Sequence, residues 1–381
     1  MCGALSYSEL AAAFPRSGGE YNFLSRTFHP AIGFLAGWIS ATVGFAAPVA
    51  LAAMALGQYF AGVVPGTSPL AMGLGVTVLV TLVHLSGNQR GSVLQNVTTF
   101  MKLVLIVVLI AAGFIWGQPQ HISFLPTAAD FGYMTGAPFA ISLVFVLYAY
   151  SGWNAATYIA GEVHEPHRSL PRSIVASLLI VTGLYVLLNA VFLYTTPIEE
   201  LKGQLDVGLI AGRHIFGESG ARLIAALICI GLVSSISAMM WVGPRVTMVM
   251  GEDIPLLEIF SRRAKNGVPA LALIMQLAVV AVLLLTQKFE AVLDFIQFAL
   301  TFSSFLTVLG VIVLRFRQPD LPRPYKAWAY PVTPFIFLAV TFFVLVHLAA
   351  ERPVQSFESF CTMLAGLLIY AISVRHRRAA P

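Results

Sequence analysis

Apolar segments about 20 residues long recur along the chain, and this feature limits its possible folds more than any other. A helix needs about 20 mostly apolar residues to cross a lipid bilayer. The segments that meet this requirement are residues 31–62, 69–86, 92–116, 137–161, 172–196, 221–249, 268–287, 291–315, 331–349 and 354–374. Residues 1–14 are also apolar but too short to cross alone, so we interpret them as the last half of another span. The sequence therefore predicts an all-α, multi-pass membrane bundle.

Composition and charge distribution agree with this prediction. Hydrophobic residues make up 58% of the chain and charged residues 10%, whereas a soluble domain carries about 25% charged residues. Of the 22 lysines and arginines, Lys102 lies inside a span and 16 fall in one set of loops. The opposite loops hold only Lys202, Arg213, Arg222, Lys288 and Arg352. By the positive-inside rule the arginine-rich loops and the C-terminus are cytoplasmic. Membrane orientation therefore explains the net charge of +5 better than nucleic-acid binding does.

The span at 137–161 is interrupted halfway by the sequence Ser-Gly-Trp-Asn, residues 151–154. Glycine weakens a helix, and Ser and Asn side chains compete for backbone hydrogen bonds. Non-helical backbone at membrane depth survives only where it is buried or lines a cavity. Unwinding here would offer carbonyls to an ammonium and a half-helix N-terminus to a carboxylate. Trp153, Tyr148 and Tyr150 would then close over the solute as an aromatic lid. The alternative is a continuous helix whose small residues let a neighbour pack closely, and these residues alone leave both interpretations open.

Four stretches resemble one family of membrane proteins. "FVLYAYSGWNAATYIAGEVHEPHRSLPRSI" is similar to the sixth helix and following loop of the amino acid–polyamine–organocation (APC) permeases, especially their L-type and neutral amino acid exchangers. "SELAAAFPRSGGEYNFL" at 8–24 resembles the loop after the family's second helix. "GFLAGWISATVGFAAPVALAAMALGQY" at 33–59 and "VLQNVTTFMKLVLIVVLIAAGF" at 93–114 resemble its third and fifth helices. The stretches occur in the family's order and spacing, so the resemblance extends over nearly the whole chain.

The resemblance implies a leucine-transporter fold, in which two inverted five-helix repeats surround a substrate site near the bilayer midplane. The chain would form one transmembrane domain, 1–381. Its parts would be a remnant of family helix 2 at 1–14, helices 3–5 at 31–116, helices 6–10 forming the second repeat at 137–315, and helices 11 and 12 at 331–374.

The family's first and sixth helices are unwound at the substrate site. By resemblance, the sixth-helix half of this site comprises Tyr148, Ala149, Ser151, Gly152, Trp153 and Asn154. Carbonyls near Tyr148 and Ser151 would hold the α-ammonium of an amino acid. Trp153 would act as a gate and Asn154 as a polar partner.

The chain departs from the family pattern at its beginning. Nothing corresponds to the family's first helix, whose Gly-rich motif normally receives the substrate carboxylate, and Met1 aligns inside the second helix. We favour a truncated gene model or a wrongly chosen start codon over a real deletion. A real deletion would leave a groove open to lipid, and such a chain would be unstable or inactive.

Lys102 is an ionisable residue inside the 92–116 span. Only 14 residues follow it before the span ends, about 21 Å of helix. Gln95, Thr98 and Thr99 lie on the same helix face. Charged residues at such depth usually face the bundle interior and mark ion or proton paths, and desolvation disfavours their charged form. The alternative is a lysine that snorkels to the interface.

The fifth helix of many APC permeases carries a lysine at this point, where sodium-coupled relatives of the fold bind a cation. The resemblance therefore implies a proton-coupling role for Lys102. Ser234, Ser235 and Ser237 of the eighth family helix are expected to border the same place.

Other signals in the sequence are weaker. His164 and His167 are spaced as a metal pair, but a metal site needs at least three good ligands. An ion-paired loop in which Glu162 meets Arg172 is the better interpretation. "FPRSGGEY" is interpreted as a tight cytoplasmic turn on the gate side, and its glycines do not form a phosphate loop. No catalytic triad, metal cluster or cofactor motif stands out, so an enzyme is not expected.

The prediction is thus an integral, multi-pass protein of the plasma or cell inner membrane with a cytoplasmic C-terminus. It would transport amino acids, neutral ones in particular, by alternating access, as an exchanger or a proton-coupled permease. No cofactor and no nucleic-acid partner are expected, and a protein partner cannot be predicted. A non-transporting amino acid sensor or scaffold and an inactive permease fragment are the alternatives.

Overall fold

The computed structural model describes residues 1–120, 125, 128–134, 136–286 and 288–379. Within these residues every regular element is helical. The α-helices, in chain order, are α1 Cys2–Ala13, α2 Glu20–Thr27, α3 Pro30–Ile39, α4 Ala46–Val63, α5 Pro69–Leu85, α6 Asn88–Trp116, α7 Ala128–Tyr133, α8 Ala137–Ala149, α9 Pro166–Thr195, α10 Ile198–Leu201, α11 Val207–Asp253, α12 Ala270–Thr286, α13 Phe289–Arg317, α14 Val332–Glu351 and α15 Pro353–Ala379. A π-helical turn, Ser40–Gly44, joins α3 to α4, and 3-10 segments span Ala155–Glu162 and Pro255–Ser261.

Each of the ten predicted spans coincides with helices of the structure. Among the described residues, seven helical segments are long and apolar enough to cross a membrane. They are Pro30–Val63, Asn88–Trp116, Pro166–Thr195, Val207–Asp253, Phe289–Arg317, Val332–Glu351 and Pro353–Arg375. The predicted spans 69–86, 137–161 and 268–287 correspond to the shorter apolar helices α5, α8 and α12. The predicted all-α membrane fold is confirmed.

Two helices extend beyond their predicted spans. Helix α9 begins at Pro166 rather than at residue 172, because a proline in the first turn lacks only an N–H that has no helical partner there. Helix α11 begins at Val207, but Gly217 interrupts it with φ 70° and ψ −176°. The predicted span 221–249 lies entirely in the longer part after this glycine.

Helix α4 lies at the centre of the bundle, where it packs on α5 and α11. Its sequence is rich in alanine, and small residues let its neighbours approach closely. A Cβ atom on Gly57 would lie 2.2 Å from the carbonyl oxygen of Pro69, and one on Gly73 of α5 would lie 2.7 Å from the carbonyl oxygen of Ala53. Glycine is therefore required at both contacts between α4 and α5.

Helices α6, α9 and α14 lie at the outside and expose large apolar side chains, among them Phe100, Val107, Leu179, Val186 and Phe342. An exposed apolar surface of this extent is expected where a protein contacts lipid. On the inner side of two of these helices, α1 packs against α9 and α14 and also against α13, and α2 packs against α13. This packing brings the start of α2 close to the residues that follow α8.

Candidate functional site

The apolar run at 137–161 is broken, as its sequence predicts. Helix α8 ends at Ala149, residues 150–154 form turns, and the chain resumes as the 3-10 segment from Ala155 to Glu162. Gly152 takes φ +84° at the centre of the break, in the left-handed region that favours glycine. The alternative of a continuous helix is therefore wrong.

The break leaves some backbone groups without partners. The Tyr148 carbonyl accepts a hydrogen bond from the Ser151 N–H at 2.8 Å, and the Ala149 carbonyl accepts one from the Tyr185 hydroxyl at 2.9 Å. Within the described part of the chain, no donor reaches the carbonyls of Ser151 or Trp153. Carbonyls in this state are suited to an ammonium group, because their lone pairs are free to accept its N–H donors.

A cavity of about 80 Å³ lies beside the break. Four of the six predicted substrate residues line it, namely Ser151, Gly152, Trp153 and Asn154. Other walls come from the π-helical turn, from α11 through Met239 and from α13 through Gln297. Single π-helical turns within α-helices are frequent at functional sites, and this one borders the cavity through Ser40 and Gly44.

The remaining predicted residues lie elsewhere. Tyr148 packs into an apolar cluster between α8, α13 and α14. Ala149 lines a second cavity, of about 350 Å³, between the break and α9. The Tyr150 ring lies 5.2 Å from that of Tyr185, so neither Tyr148 nor Tyr150 covers the first cavity. Trp153 borders both cavities.

Glu20, the first residue of α2, also lines the first cavity, and the sequence interpretation missed it. Its side chain is only 2% exposed. The carboxylate accepts hydrogen bonds from the hydroxyls of Tyr7 and Ser303, from the Asn154 amide at 3.1 Å and from the Ser304 hydroxyl at 3.3 Å. Burial raises the pKa of the Glu20 carboxyl above its ordinary value, although these donors oppose the shift.

Gln297 supplies an acceptor that has no donor in the described structure. This residue is 4% exposed, and its amide nitrogen donates to Thr301 at 3.1 Å. Its amide oxygen is buried without a hydrogen bond. Gln297, Thr301 and Ser304 recur at helical spacing on α13 and all line the cavity. A ligand with an N–H or O–H group could satisfy the free oxygen.

Lys102 lies at the midpoint of α6, and the predicted polar face of this helix contacts α11. The Lys102 ammonium donates to the Ser235 hydroxyl at 3.0 Å. The Thr99 and Ser234 hydroxyls lie 2.9 Å apart, and the Gln95 amide donates to Ser234 at 3.4 Å. The lysine thus points at a neighbouring helix rather than along α6 to the interface.

Of the three serines predicted near Lys102, Ser235 contacts it directly and Ser234 contacts Thr99 and Gln95 on the same face of α6. Ser237 instead lies 3.0 Å from the ring nitrogen of His84 on α5. Lys102 itself does not line the cavity at the break. Ser235 and Met239 are one turn apart on α11, so this helix connects the lysine to the cavity wall.

Residues 1–372 match a family model described as amino acid permease. The chain belongs to the amino acid permease family. The resemblance to APC permeases that its motifs indicate is thereby confirmed, and the family's members are transporters rather than enzymes.

Similar proteins of known type cover almost all of this permease. It is 27% identical to the b(0,+)-type amino acid transporter 1 of Mus musculus, over 98% of this chain and 78% of the relative. It is 26% identical to the serine/threonine exchanger SteT of Bacillus subtilis (strain 168), over 100% of this chain and 87% of the relative. It is 25% identical to the Asc-type amino acid transporter 1 of Mus musculus, over 98% of this chain and 72% of the relative.

Ion pairs hold the arginine-rich end of the permease together. The Arg245 guanidinium donates to Glu162 at 2.9 Å, so the predicted pairing of Glu162 with Arg172 is wrong. Arg245 reaches Glu162 because the 3-10 segment packs against α11. The Arg16 guanidinium donates to both carboxylate oxygens of Asp253 at 2.9 Å, and this bonding raises the pKa of Arg16.

The structure also describes the two histidines that are spaced as a metal pair. The ring of His167 lies 2.7 Å from the Ala12 carbonyl oxygen, which occupies one of its nitrogens. Among the described residues, no group of three His, Cys, Asp or Glu side chains could hold a metal ion.

Proposed function

We propose that this permease carries neutral amino acids across the membrane by alternating access, as an exchanger or with protons. The observation that carries the proposal is the break at Gly152, where carbonyls without donors lie beside a cavity inside an apolar bundle. Irregular backbone at this depth persists only where it is buried or lines a cavity. Family membership supplies the solute class, since the family is one of amino acid permeases.

In this proposal the substrate contacts Tyr148, Ala149, Ser151, Gly152, Trp153 and Asn154. The free carbonyls of Ser151 and Trp153 hold the α-ammonium group. Asn154 is the polar partner, and Trp153 closes the cavity at the side of α1, where its ring lies 4.6 Å from that of Tyr7. Tyr148 and Ala149 do not line the first cavity, so in this proposal they contact the substrate only through carbonyls that also accept from the Ser151 N–H and the Tyr185 hydroxyl.

A neutral substrate is favoured by the lining of the cavity. Apart from Glu20, its walls are apolar or carry uncharged polar groups. The relatives include a serine/threonine exchanger, and the free oxygen of Gln297 would accept a hydrogen bond from a hydroxyl side chain. An exchange of one neutral amino acid for another requires no net charge to cross the bilayer.

Lys102 is proposed to couple transport to a proton, together with Ser235 and Ser234. Its contact with Ser235 connects its charge to α11, which also carries Met239 in the cavity wall. We further propose that the protein lies in the plasma or cell inner membrane with its C-terminus in the cytoplasm, an orientation supported by the concentration of lysine and arginine in one set of loops. Replacing Lys102 with alanine should abolish the dependence of uptake on a proton gradient, whereas the exposed loop variant Lys288→Ala should retain it. Unchanged proton dependence in Lys102→Ala would contradict this role.

Counterflow tests the transport proposal directly. Proteoliposomes containing the purified chain are loaded with unlabelled serine or leucine and diluted into a trace of the labelled amino acid. Transient accumulation of label is expected, because a carrier exchanges inner for outer substrate. Saturable binding without counterflow would instead identify an amino acid sensor and overturn the proposal.

A further inference from the structure

Glu20 is a buried acid whose hydrogen-bond partners are all uncharged. Four groups donate to it, from Tyr7, Asn154, Ser303 and Ser304. Among the described residues, no arginine, lysine or histidine forms an ion pair with it. A buried charge normally requires a counter-charge, because removing an ion from water costs several kcal/mol.

Glu9 provides an internal comparison. It is as deeply buried as Glu20, at 1% exposed. However, Arg315 lies 2.6 Å and Arg323 lies 3.5 Å from its carboxylate, and the Ala327 N–H donates to it at 2.7 Å. The fold thus provides two fixed cations for one buried glutamate and none for the other. Among the described side chains none supplies a counter-charge for Glu20, so a bound proton is the means of neutralising it that the site itself offers.

The partners of Glu20 suit both of its charge states. Three of the four donors are hydroxyls, which can rotate and either donate or accept. When the carboxylate binds a proton from water in the cavity, the new O–H bond can point at the Ser303 or Tyr7 oxygen, which then accepts. Tyr7 of α1 and Tyr158 of the 3-10 segment are the ionisable side chains that face Glu20, and both are fully or almost fully buried.

The fourth donor connects this charge to the break. The Asn154 side-chain nitrogen donates to a Glu20 carboxylate oxygen at 3.1 Å. Unlike a hydroxyl, this nitrogen can donate a hydrogen bond but cannot accept one. A hydrogen bond to a charged acceptor is roughly twice as strong as one to a neutral acceptor. Asn154 is therefore held more tightly when Glu20 is ionised than when it carries a proton.

We propose that Glu20 binds and releases a proton during the transport cycle, and that its charge state controls the position of Asn154 at the break. This inference rests on the proposed transport function and adds a second proton-binding group, separate from Lys102. Glu20 acts here as a positioning residue, since it works through Asn154.

The test compares the pH profile of counterflow in the wild type and in Glu20→Gln, over about pH 5 to 9. The wild-type rate should change by up to about tenfold per pH unit on one side of the carboxyl pKa. Glu20→Gln, which keeps the shape but cannot ionise, should lose the change of rate at the carboxyl pKa, so that only the pH dependence due to Lys102 remains. Glu20→Asp should restore a pH-dependent profile, and Glu258→Gln, which removes an exposed carboxylate, should leave the wild-type profile unchanged.

A spectroscopic readout keeps the test independent of transport rates. Infrared difference spectra of the reconstituted chain should show a carboxyl C=O band on acidification, and this band should be missing in Glu20→Gln. A Glu20→Gln profile that keeps the wild-type pH dependence, together with an unchanged band, would overturn the inference. A Glu20→Gln variant that loses substrate affinity but keeps the wild-type pH profile would also overturn the inference, because Glu20 would then be a substrate ligand. Absence of counterflow in the wild type would instead refute the proposed function, so the two failures are distinguishable.

Discussion

Replacing Gly152 with alanine should disfavour the broken conformation on which the site depends. A residue with a Cβ atom at φ +84° costs about 1–2 kcal/mol more than glycine. The new Cβ would also lie 2.5 Å from the terminal methyl of Met239, so this side chain must move, at about 0.5–1.5 kcal/mol. Alanine in addition favours a competing straight helix by about 1 kcal/mol.

Together these effects shift the balance away from the break by about 2.5–4.5 kcal/mol, or roughly 60- to 1,600-fold. The apparent affinity for substrate should fall by up to this factor, because only the broken form offers its carbonyls. Equilibrium binding of labelled serine or leucine to the purified protein measures this loss, and counterflow measures its effect on transport.

Gly183→Ala is the matched control, since Gly183 lies within α9 and a Cβ there would meet open space. This variant should bind as the wild type does. The double variant Gly152→Ala/Met239→Ala removes the clash but keeps the backbone strain, and should recover only part of the affinity. If Gly152→Ala binds and transports as well as Gly183→Ala does, the left-handed residue is not required and the reasoning is refuted.

Three further predictions follow from the side chains around the site. Gln297→Leu should weaken binding of amino acids with hydroxyl side chains by about 1–3 kcal/mol relative to aliphatic ones, because the free acceptor is lost. Competition binding measures this difference, and an unchanged ratio of serine to leucine affinity would contradict the prediction. Glu162→Gln should lower the melting temperature more than Arg245→Met does. The first variant leaves the Arg245 guanidinium, which is 5% exposed, without its counter-charge. The second leaves the Glu162 carboxylate, which is 43% exposed and can be hydrated. Burial raises the pKa of Glu20 in the folded protein above the ordinary value of 4.5. The stability that the protonated Glu20 contributes is therefore fully present below pH 4.5 and is lost as pH rises through the raised pKa. The melting temperature of the wild type should therefore fall over that range relative to Glu20→Gln, and a constant difference between the two would exclude this contribution.

Local features of the fold and of the break could be predicted from the sequence. The spans follow from the length of apolar runs, and the break follows from Gly152 and its polar neighbours within one run. The contact of Lys102 with α11 was also foreseeable, because Gln95, Thr99 and Lys102 repeat at helical spacing on one face.

Contacts between distant segments could not be predicted in this way. Glu20 lies in a loop-like sequence, and its burial depends on α2 packing against α13 and on hydroxyls almost 300 residues away in the chain. Arg172 is closer in sequence to Glu162 than Arg245 is, yet the fold selects Arg245 because the 3-10 segment packs on α11. Periodicity within one helix contains no information about such pairings. The division into inverted repeats stays a prediction.

The two halves of the broken span are attached to different neighbours. Helix α8 packs on α13 and α14, whereas the 3-10 segment is fastened to α11 by Arg245 and to the π-helical turn by the Tyr158 and Ser40 hydroxyls, 3.1 Å apart. A rotation of one helix group against the other would be absorbed as torsion in residues 150–154, with neither rigid half having to bend. In the proposed transport cycle we therefore expect Gly152 to act as a swivel as well as a binding element, and a solute bound there would lie on the axis of the movement that transfers it.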